Sequence, residues 1–226
     1  MSEDGKNGNR PVRRKDQARA TRRRIIDAAL ARFTSEGYAA ATLDSIAADA
    51  GVSVQTVYFH FGSKRNVLKE GVDVLAVGDD LPIPLLERPW MQELHATPDP
   101  YRALQLWMDA SRKIYERIAP LMRIIRDAAG ADPEMAAQWD TNQQQRVVAH
   151  RALAEALDAK NGLRDGIGVD EATDVLYSLM SPEMYGLLVG DRNWTATRWQ
   201  AYVTRLAAIA VLHPPDTADN VGFSPP

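Results

Sequence analysis

Cysteine and long apolar segments are both absent from this sequence. It contains no cysteine, which excludes disulfide-bonded folds, zinc sites built on thiolates and cysteine nucleophiles. No apolar run approaches the roughly 18 residues that a membrane-spanning helix needs, and no apolar segment near the N-terminus resembles a secretion signal. We therefore expect a cytoplasmic protein that is not attached to a membrane.

Motifs for catalysis and cofactor binding are missing as well. The sequence has no HExxH, GxSxG, GxGxxG or P-loop pattern. Its four histidines lie far apart, at His60, His95, His150 and His213, so they form no metal-ligand spacing. The expectation is a non-enzymatic protein with no catalytic residues, no metal and no cofactor. A site assembled from distant residues would leave no such motif, so an enzyme stays an alternative.

Charge is unevenly distributed along the chain. The whole sequence carries net −3, whereas residues 1–70 hold 13 basic and 8 acidic residues, net +5, and residues 71–226 carry net −8. Eight of the basic residues fall between Arg10 and Arg24, against the single acid Asp16. A basic segment joined to an acidic remainder favours a polyanionic partner for the front of the chain. A solvated, disordered tail is the alternative.

Three helices are predicted in the front of the chain. Residues 1–19 have almost no large apolar side chains and are expected to form a disordered arm. A helix follows at about 20–35, and one of its faces carries Ile26, Ala29, Leu30 and Phe33. Thr42 is expected to cap a second helix and Ser53 a third. The very short connection through Gly51 predicts a helix-turn-helix, although a helical hairpin inside a larger bundle has the same pattern.

The remainder is also predicted to be helical, so the expected fold class is all-α. Further helices are expected at about 63–77, 99–117, 120–129, 133–160, 169–189 and 195–212, with a weakly defined stretch at 85–95. Pro120, Pro133 and Pro182 are expected to mark helix starts or a kink. The predicted organisation is a basic arm (1–19), a helix-turn-helix domain (20–66), a helical ligand-binding and dimerisation domain (67–213) and a flexible tail (214–226).

Individual residues in the front half match the pattern of a known family. They are Gly37-Tyr38, Thr42-Leu43, Ile46-Ala47, Ala50-Gly51-Val52-Ser53 and Thr56-Val57-Tyr58-Phe59-His60-Phe61-Gly62-Ser63-Lys64. In this spacing they resemble the N-terminal DNA-binding domain of the TetR family of bacterial transcriptional regulators. The resemblance covers about 50 residues and implies a three-helix DNA-binding domain followed by a helical ligand-binding and dimerisation domain.

The resemblance and the side-chain chemistry predict which residues contact DNA. Glutamine can bond adenine in a bidentate way, and threonine or valine methyl groups can contact a thymine methyl. Hydroxyl, imidazole and ammonium groups suit phosphate oxygens. The predicted phosphate contacts are Thr42, Tyr58, His60 and Lys64. The residues predicted to lie at or beside the bases are Ser53, Val54, Gln55, Thr56 and Phe59. DNA contact is also predicted for Arg22, Arg23 and Arg24, which follow the arm, because arginines before a DNA-reading helix can enter a neighbouring minor groove. The competing interpretations are a half-buried core position for Tyr58, a local bond for His60 and a turn-covering role for Phe59.

Aromatic and methionine side chains in the middle helices indicate a small-molecule site. The candidates, which mix apolar surface with a few polar groups, are Trp107, Met108, Ser111, Tyr115, Met122, Trp139, Asn142 and Tyr177. Side chains of these types at helical spacing would equally suit a hydrophobic core. The expected effector is therefore only defined as a largely apolar or aromatic molecule.

Apolar stripes on the last two helices predict a dimer interface. The residues are Leu176, Leu179, Leu187, Leu188, Trp199, Tyr202, Val203, Leu206 and Ala210. The resemblance implies a four-helix bundle across a two-fold axis, and a purely internal stripe is the alternative. A dimer would place two recognition helices about one turn apart on a palindrome.

These inferences predict a homodimeric transcriptional regulator that binds a palindromic operator in double-stranded DNA. A repressor released by a small apolar or aromatic effector is the expected form, and an activator would have the same domains. We expect it in the cytoplasm, associated with the nucleoid when bound to DNA. The alternatives are an α-helical enzyme that carries a helix-turn-helix and a nonspecific architectural DNA-binding protein.

Overall fold

The computed structural model describes residues 10–78 and 83–214. Within these ranges the regular structure is helical, apart from one isolated antiparallel bridge between Leu163 and Leu212, which confirms the all-α prediction. The helices are α1 (Arg10–Glu36), α2 (Leu43–Ala50), α3 (Val54–Phe61), α4 (Lys64–Val77), α5 (Pro89–Ala96), α6 (Pro100–Ala129), α7 (Pro133–Asp158), α8 (Val169–Leu179), α9 (Pro182–Tyr185) and α10 (Ala196–Val211). A 3-10 turn (Leu85–Glu87) precedes α5, and a π-helical segment (Gly186–Asp191) follows α9.

The described residues form two compact units. The first contains those up to Leu75 together with Pro120–Gln138, and the second contains Ala76–Ala119 and the described residues from Trp139 onward. Three helices, α4, α6 and α7, therefore contribute residues to both units.

The core of the first unit is built from the predicted helical stripes. Ile26, Ala29 and Phe33 of α1 are buried, while Leu30 is half-buried. Helix α2 packs on both α1 and α3. The buried side chains that α2 and α3 contribute are Leu43, Ile46, Ala47, Ala50, Val57 and Phe61. Burial of one face on each helix leaves the opposite face of α3 in solvent.

The predicted start of the first helix was wrong. We expected a disordered arm through residue 19, whereas α1 begins at Arg10. The sequence from Arg10 onward is rich in Arg, Lys, Gln and Ala, which have high helix propensity, and Pro11 falls in the first turn, where proline is tolerated. Residues 1–9 of the predicted arm and 215–226 of the predicted tail lie outside the described residues.

The predicted start of a separate helix at Pro120 was also wrong. A single helix, α6, runs from Pro100 to Ala129 with Pro120 inside it. Proline in a helix interior removes one backbone hydrogen bond, but the flanking residues Ile118 and Leu121 are buried, and their burial favours continuation of the helix. The other two prolines behave as predicted, because Pro133 begins α7 and Pro182 begins α9.

Candidate functional site

The turn between α2 and α3 is fixed by caps at both helices. Thr42 and Ser45 form a reciprocal capping box, with the Ser45 N–H donating to Thr42 Oγ1 and the Thr42 N–H donating to Ser45 Oγ, both at 3.1 Å. Gly51 ends α2 with φ 64°, a left-handed conformation that glycine adopts without steric cost. The Thr56 N–H donates to Ser53 Oγ (3.2 Å) and caps α3. These local bonds fix the start of α3 close behind the end of α2.

Helix α3 is anchored on one side and exposed on the other. Val57 is fully buried and Phe61 is nearly so. Tyr58 is 54% exposed and Phe59 is 85% exposed, so both rings present surface to solvent. Gln55 is also exposed, whereas Val54, Thr56 and His60 are partly exposed. The segment from Val52 to Asn66 contains no acidic residue, so the outward surface of α3 carries nothing that repels a polyanion.

Arg22 points into the first unit instead of away from it. Its Nη1 donates to the main-chain carbonyl of His60 (3.0 Å), its Nε donates to one carboxylate oxygen of Glu70 (2.9 Å), and its Nη2 donates to the other. The guanidinium also lies over the ring of Phe61, 4.7 Å from the centroid. Of the other two arginines predicted to contact DNA, Arg23 pairs with Asp27 at an exposed position (3.0 Å), and Arg24 is exposed.

Lys64 is likewise engaged within the first unit. Its Nζ donates to the carbonyl oxygens of Tyr38 (2.7 Å) and Ala41 (2.9 Å) and lies 4.2 Å from the centroid of the Tyr38 ring. Partial burial lowers the pKa of Lys64. Two of its three ammonium donors therefore hold the loop between α1 and α2 against the start of α4. The sequence could not show this loop contact, and a phosphate contact through the remaining donor of Lys64 stays a prediction.

Replacing Lys64 by methionine is expected to lower the free energy of unfolding by about 1.5–3 kcal/mol, since hydrogen bonds to charged groups have this magnitude. Urea denaturation followed by circular dichroism measures the change. Lys69→Met is the matched control, because Lys69 lies on the same helix and pairs with the exposed Asp73. Unchanged stability with a DNA-binding salt slope reduced by about one would instead identify Lys64 as a phosphate contact.

In the second unit, an aromatic cluster brings together two of the predicted effector residues. Trp107 lies 5.9 Å from the ring of His150, and His150 lies 6.0 Å from the ring of Tyr177. Trp90 contacts Trp107 edge-on (5.6 Å), and Arg146 lies over Tyr177, 4.3 Å from the ring centroid. Sequence reasoning missed Trp90, Arg146 and His150, because an isolated histidine or arginine on a helix carries no spacing signal.

This aromatic cluster, comprising Trp90, Trp107, Arg146, His150 and Tyr177, has an excess of buried N–H donors. The His150 Nδ1–H donates to the Arg146 carbonyl (2.6 Å), which leaves Nε2 as an acceptor. Burial lowers the pKa of His150 to about 4, so the ring is neutral at pH 7. Trp107 Nε1 and Arg146 Nε are buried without a hydrogen-bond acceptor in the described ranges. Buried donors of this kind are uncommon in native structures.

The remaining effector candidates occupy different environments. Met108, Ser111 and Asn142 are buried, and Trp139 is partly exposed. The Tyr115 hydroxyl donates to the Met180 carbonyl (2.6 Å), and burial raises the pKa of Tyr115 to about 12, so this hydroxyl is already used. Met122 is buried in the first unit, whereas the other candidates belong to the second.

Three of the predicted interface residues face the core of their own chain. Leu176, Trp199 and Val203 have no exposed surface, so their prediction as dimer contacts was wrong. A helical stripe identifies the buried face of a helix without showing what buries it. The others, Leu179, Leu188, Tyr202, Leu206 and Ala210, are partly exposed. Leu187 is 56% exposed, and Ile209 of α10, which was not predicted, is 65% exposed.

Membrane spans and metal clusters are both missing from the described ranges. No helix there is long and apolar enough to cross a membrane. No group of three or more histidine, aspartate or glutamate residues in the same ranges is placed to hold a metal ion.

Sequence comparisons match the helix-turn-helix region. Residues 25–70 match the family model described as bacterial regulatory proteins, tetR family. The HTH-type transcriptional regulator SrpR of Pseudomonas putida is 53% identical over 53 residues, which are 24% of this chain and 25% of SrpR. TtgW of the same species, named as an uncharacterised HTH-type transcriptional regulator, is also 53% identical over 53 residues, 24% of this chain and 40% of TtgW. The chain thus spans less than half of these curated relatives.

Structural similarity extends over most of the chain. The structure of the SmeT–triclosan complex has a TM-score of 0.67 at 22% identity and covers 92% of this chain and 99% of SmeT. NalD, the secondary repressor of the MexAB-OprM multidrug efflux pump in Pseudomonas aeruginosa, has a TM-score of 0.66 at 20% identity. The similarity covers 89% of this chain and 99% of NalD. At these identities the likeness establishes the fold. Over residues 25–70, the matched sequence confirms the predicted resemblance to the bacterial regulatory proteins of the tetR family.

Proposed function

We propose that this chain is a transcriptional repressor that binds a palindromic DNA operator as a homodimer and is released by a small effector. The observation that carries the proposal is the outward face of α3. Its caps and buried anchors fix the helix, while Gln55, Tyr58 and Phe59 are exposed in a segment without acidic residues. A fixed, acid-free helix with exposed amide and aromatic groups is suited to the major groove.

The side chains of α3 divide into two proposed roles. Gln55, near the start of the helix, reads a base edge, and Phe59 packs on a thymine methyl group or a sugar. Val54 and Thr56 border the same bases, beside the Ser53 cap. The Tyr58 hydroxyl and the His60 imidazole bond phosphates, as does the Thr42 hydroxyl, which still has its proton to donate. Arg23 and Arg24 contribute positive charge next to the arm.

Selection of bound duplexes from a random pool tests the proposal, with wild type, Gln55→Ala and Tyr58→Phe compared at fixed salt. Wild type is expected to enrich a palindrome whose half-site centres lie about 10 bp apart or at a related spacing. Gln55→Ala should change the preferred base at one position, whereas Tyr58→Phe should lower affinity for every sequence by about tenfold or less. Sequence-independent binding would favour the architectural alternative, and absence of binding would favour the enzyme.

Two names among the similar proteins support repression in particular. NalD is described as a secondary repressor. IcaR of Staphylococcus aureus Newman is named a negative regulator of a biofilm operon and is 37% identical over 49 residues, 22% of this chain and 26% of IcaR. By this analogy, residues 20–66 bind the operator and 67–213 carry the effector and dimer surfaces. The proposed location is the cytoplasm, at the nucleoid when the chain is bound to DNA.

The aromatic cluster in the second unit supports an aromatic effector that carries a hydrogen-bond acceptor. The rings of Trp107 and Tyr177 offer stacking surfaces, and the free N–H groups of Trp107 and Arg146 need acceptors. SmeT was solved with triclosan, an aromatic ligand. Release from DNA requires the effector to bind the two conformations of the dimer with different affinity. The remaining candidates, Met108, Ser111, Tyr115, Met122, Trp139 and Asn142, are proposed as supporting residues for this site.

A further inference from the structure

Arg22 joins three helices of the first unit through a set of contacts that we name the Arg22 clamp. It comprises Arg22 on α1, Glu70 on α4, and the His60 carbonyl and Phe61 ring on α3. The two side chains meet through paired N–H···O bonds, and the third bond reaches His60 O at 3.0 Å. Glu70 lies 48 positions further along the chain, so the clamp is a tertiary contact.

The clamp acts on the weak end of α3. The last four carbonyls of a helix have no partner within the helix, and α3 has only eight residues. Arg22 supplies a donor for the His60 carbonyl, and Asn66 Nδ2 donates to the carbonyl of Phe61 (2.8 Å). The carboxylate of Glu70 holds the guanidinium in the orientation that this bond requires, because a bidentate arginine–carboxylate pair fixes geometry as well as charge.

We propose that Arg22 is a positioning residue that holds the recognition helix to α4 and makes no phosphate contact. This inference rests on the proposed DNA-binding function. It replaces the expectation that Arg22 contacts DNA, and it makes Glu70, an acid on a DNA-binding domain, favourable for binding. The positive charge available to DNA at the start of the domain then comes from its other basic residues, such as Arg23 and Arg24.

Glu70→Ala distinguishes positioning from phosphate contact, because the two roles predict changes in operator affinity of opposite sign. If Arg22 positions α3, loss of Glu70 releases the guanidinium and weakens operator binding by about tenfold, the size expected for a lost charge-assisted bond. If Arg22 contacts phosphate, Glu70→Ala frees it and tightens binding. Asp27→Ala is the matched control, since it also removes a carboxylate paired with an arginine, Arg23. Its operator affinity is expected to equal or exceed that of wild type.

Two further measurements separate this inference from the proposed function. Arg22→Lys keeps the charge but cannot make all three bonds, so it should weaken binding with an unchanged salt slope. A phosphate contact would instead survive the lysine. Without DNA, exchange of the Gly62 amide, which donates to the Tyr58 carbonyl (2.9 Å), should be faster in Glu70→Ala and Arg22→Lys than in Asp27→Ala.

The outcomes are distinct. If wild type binds no DNA but exchange at Gly62 changes as expected, the clamp stands and the proposed function fails. If wild type binds a specific duplex, and Glu70→Ala binds it as well as or better than Asp27→Ala with unchanged exchange, the clamp is overturned. Should circular dichroism show that Glu70→Ala is unfolded, Arg22→Lys decides, and binding and exchange equal to wild type would overturn the clamp.

Discussion

Replacing Trp199 by alanine is expected to lower the free energy of unfolding by about 3–5 kcal/mol, the range for large aromatic side chains removed from a core. Trp199 has no exposed surface and packs against two tyrosines, with its ring centroid 5.5 Å from that of Tyr115 and 5.0 Å from that of Tyr185. The cavity left by the indole would expose both rings to a void. Urea denaturation followed by circular dichroism, at several protein concentrations, measures the loss.

Leu187→Ala is the control, because its side chain is 56% exposed within the chain. Its removal is expected to change stability by less than about 0.5 kcal/mol, as for most surface substitutions. If the outward face with Leu187 and Ile209 forms the dimer, the same variant should raise the dimer dissociation constant. A Trp199→Ala chain that folds with wild-type stability but no longer dimerises would return Trp199 to the interface.

Acidification from pH 6.5 to pH 4 is expected to remove about 3 kcal/mol of stability through His150 alone. Burial lowers the pKa of this histidine from 6.5 to about 4 in the folded chain. Between these two values the unfolded chain binds a proton that the folded chain does not, so stability rises with pH across the window. Arg146, whose carbonyl accepts from His150, is also a nearby positive charge that opposes protonation.

His150→Gln isolates this contribution from that of the carboxylates. The amide N–H can still donate to the Arg146 carbonyl, but the side chain no longer titrates. Denaturation curves measured at intervals between pH 4 and pH 6.5 give the free energy of unfolding at each pH. This free energy should rise less steeply with pH for the variant than for wild type. Equal slopes in the two proteins would show that His150 is protonated without cost in the folded chain.

Local rules predicted the helix-turn-helix well. Capping residues, the glycine at positive φ and the spacing of small apolar side chains all act within a few residues of one another. Thr42, Gly51 and Ser53 therefore appear in the structure with the roles that their neighbours in the sequence imply. The outward position of Tyr58 followed in the same way, because the buried Val57 and Phe61 define the other side of α3.

Long-range partners could not be predicted in this way. From the sequence, Arg22 and Lys64 were predicted to use their charges on DNA. In the structure Arg22 pairs with Glu70, 48 positions away, and Lys64 donates to the Tyr38 carbonyl, 26 positions away. Trp199 belongs to an apolar helix face, and the side chains that bury it, Tyr115 and Tyr185, come from other segments of the chain. Continuation of α6 through Pro120 likewise depends on burial of the flanking turns, which outweighs one missing backbone bond.

The tryptophan-rich packing of the second unit makes the chain a spectroscopic reporter of that unit. The sequence contains five tryptophans, at Trp90, Trp107, Trp139, Trp194 and Trp199, and each of them belongs to the second unit. Tryptophan emission excited near the red edge of indole absorption therefore reports on the second unit, including Trp90 and Trp107 of the aromatic cluster, while the helix-turn-helix contributes no signal. A change in that emission on addition of a duplex would show that DNA binding at the helix-turn-helix alters the surroundings of the tryptophans in the second unit. The measurement requires no added label.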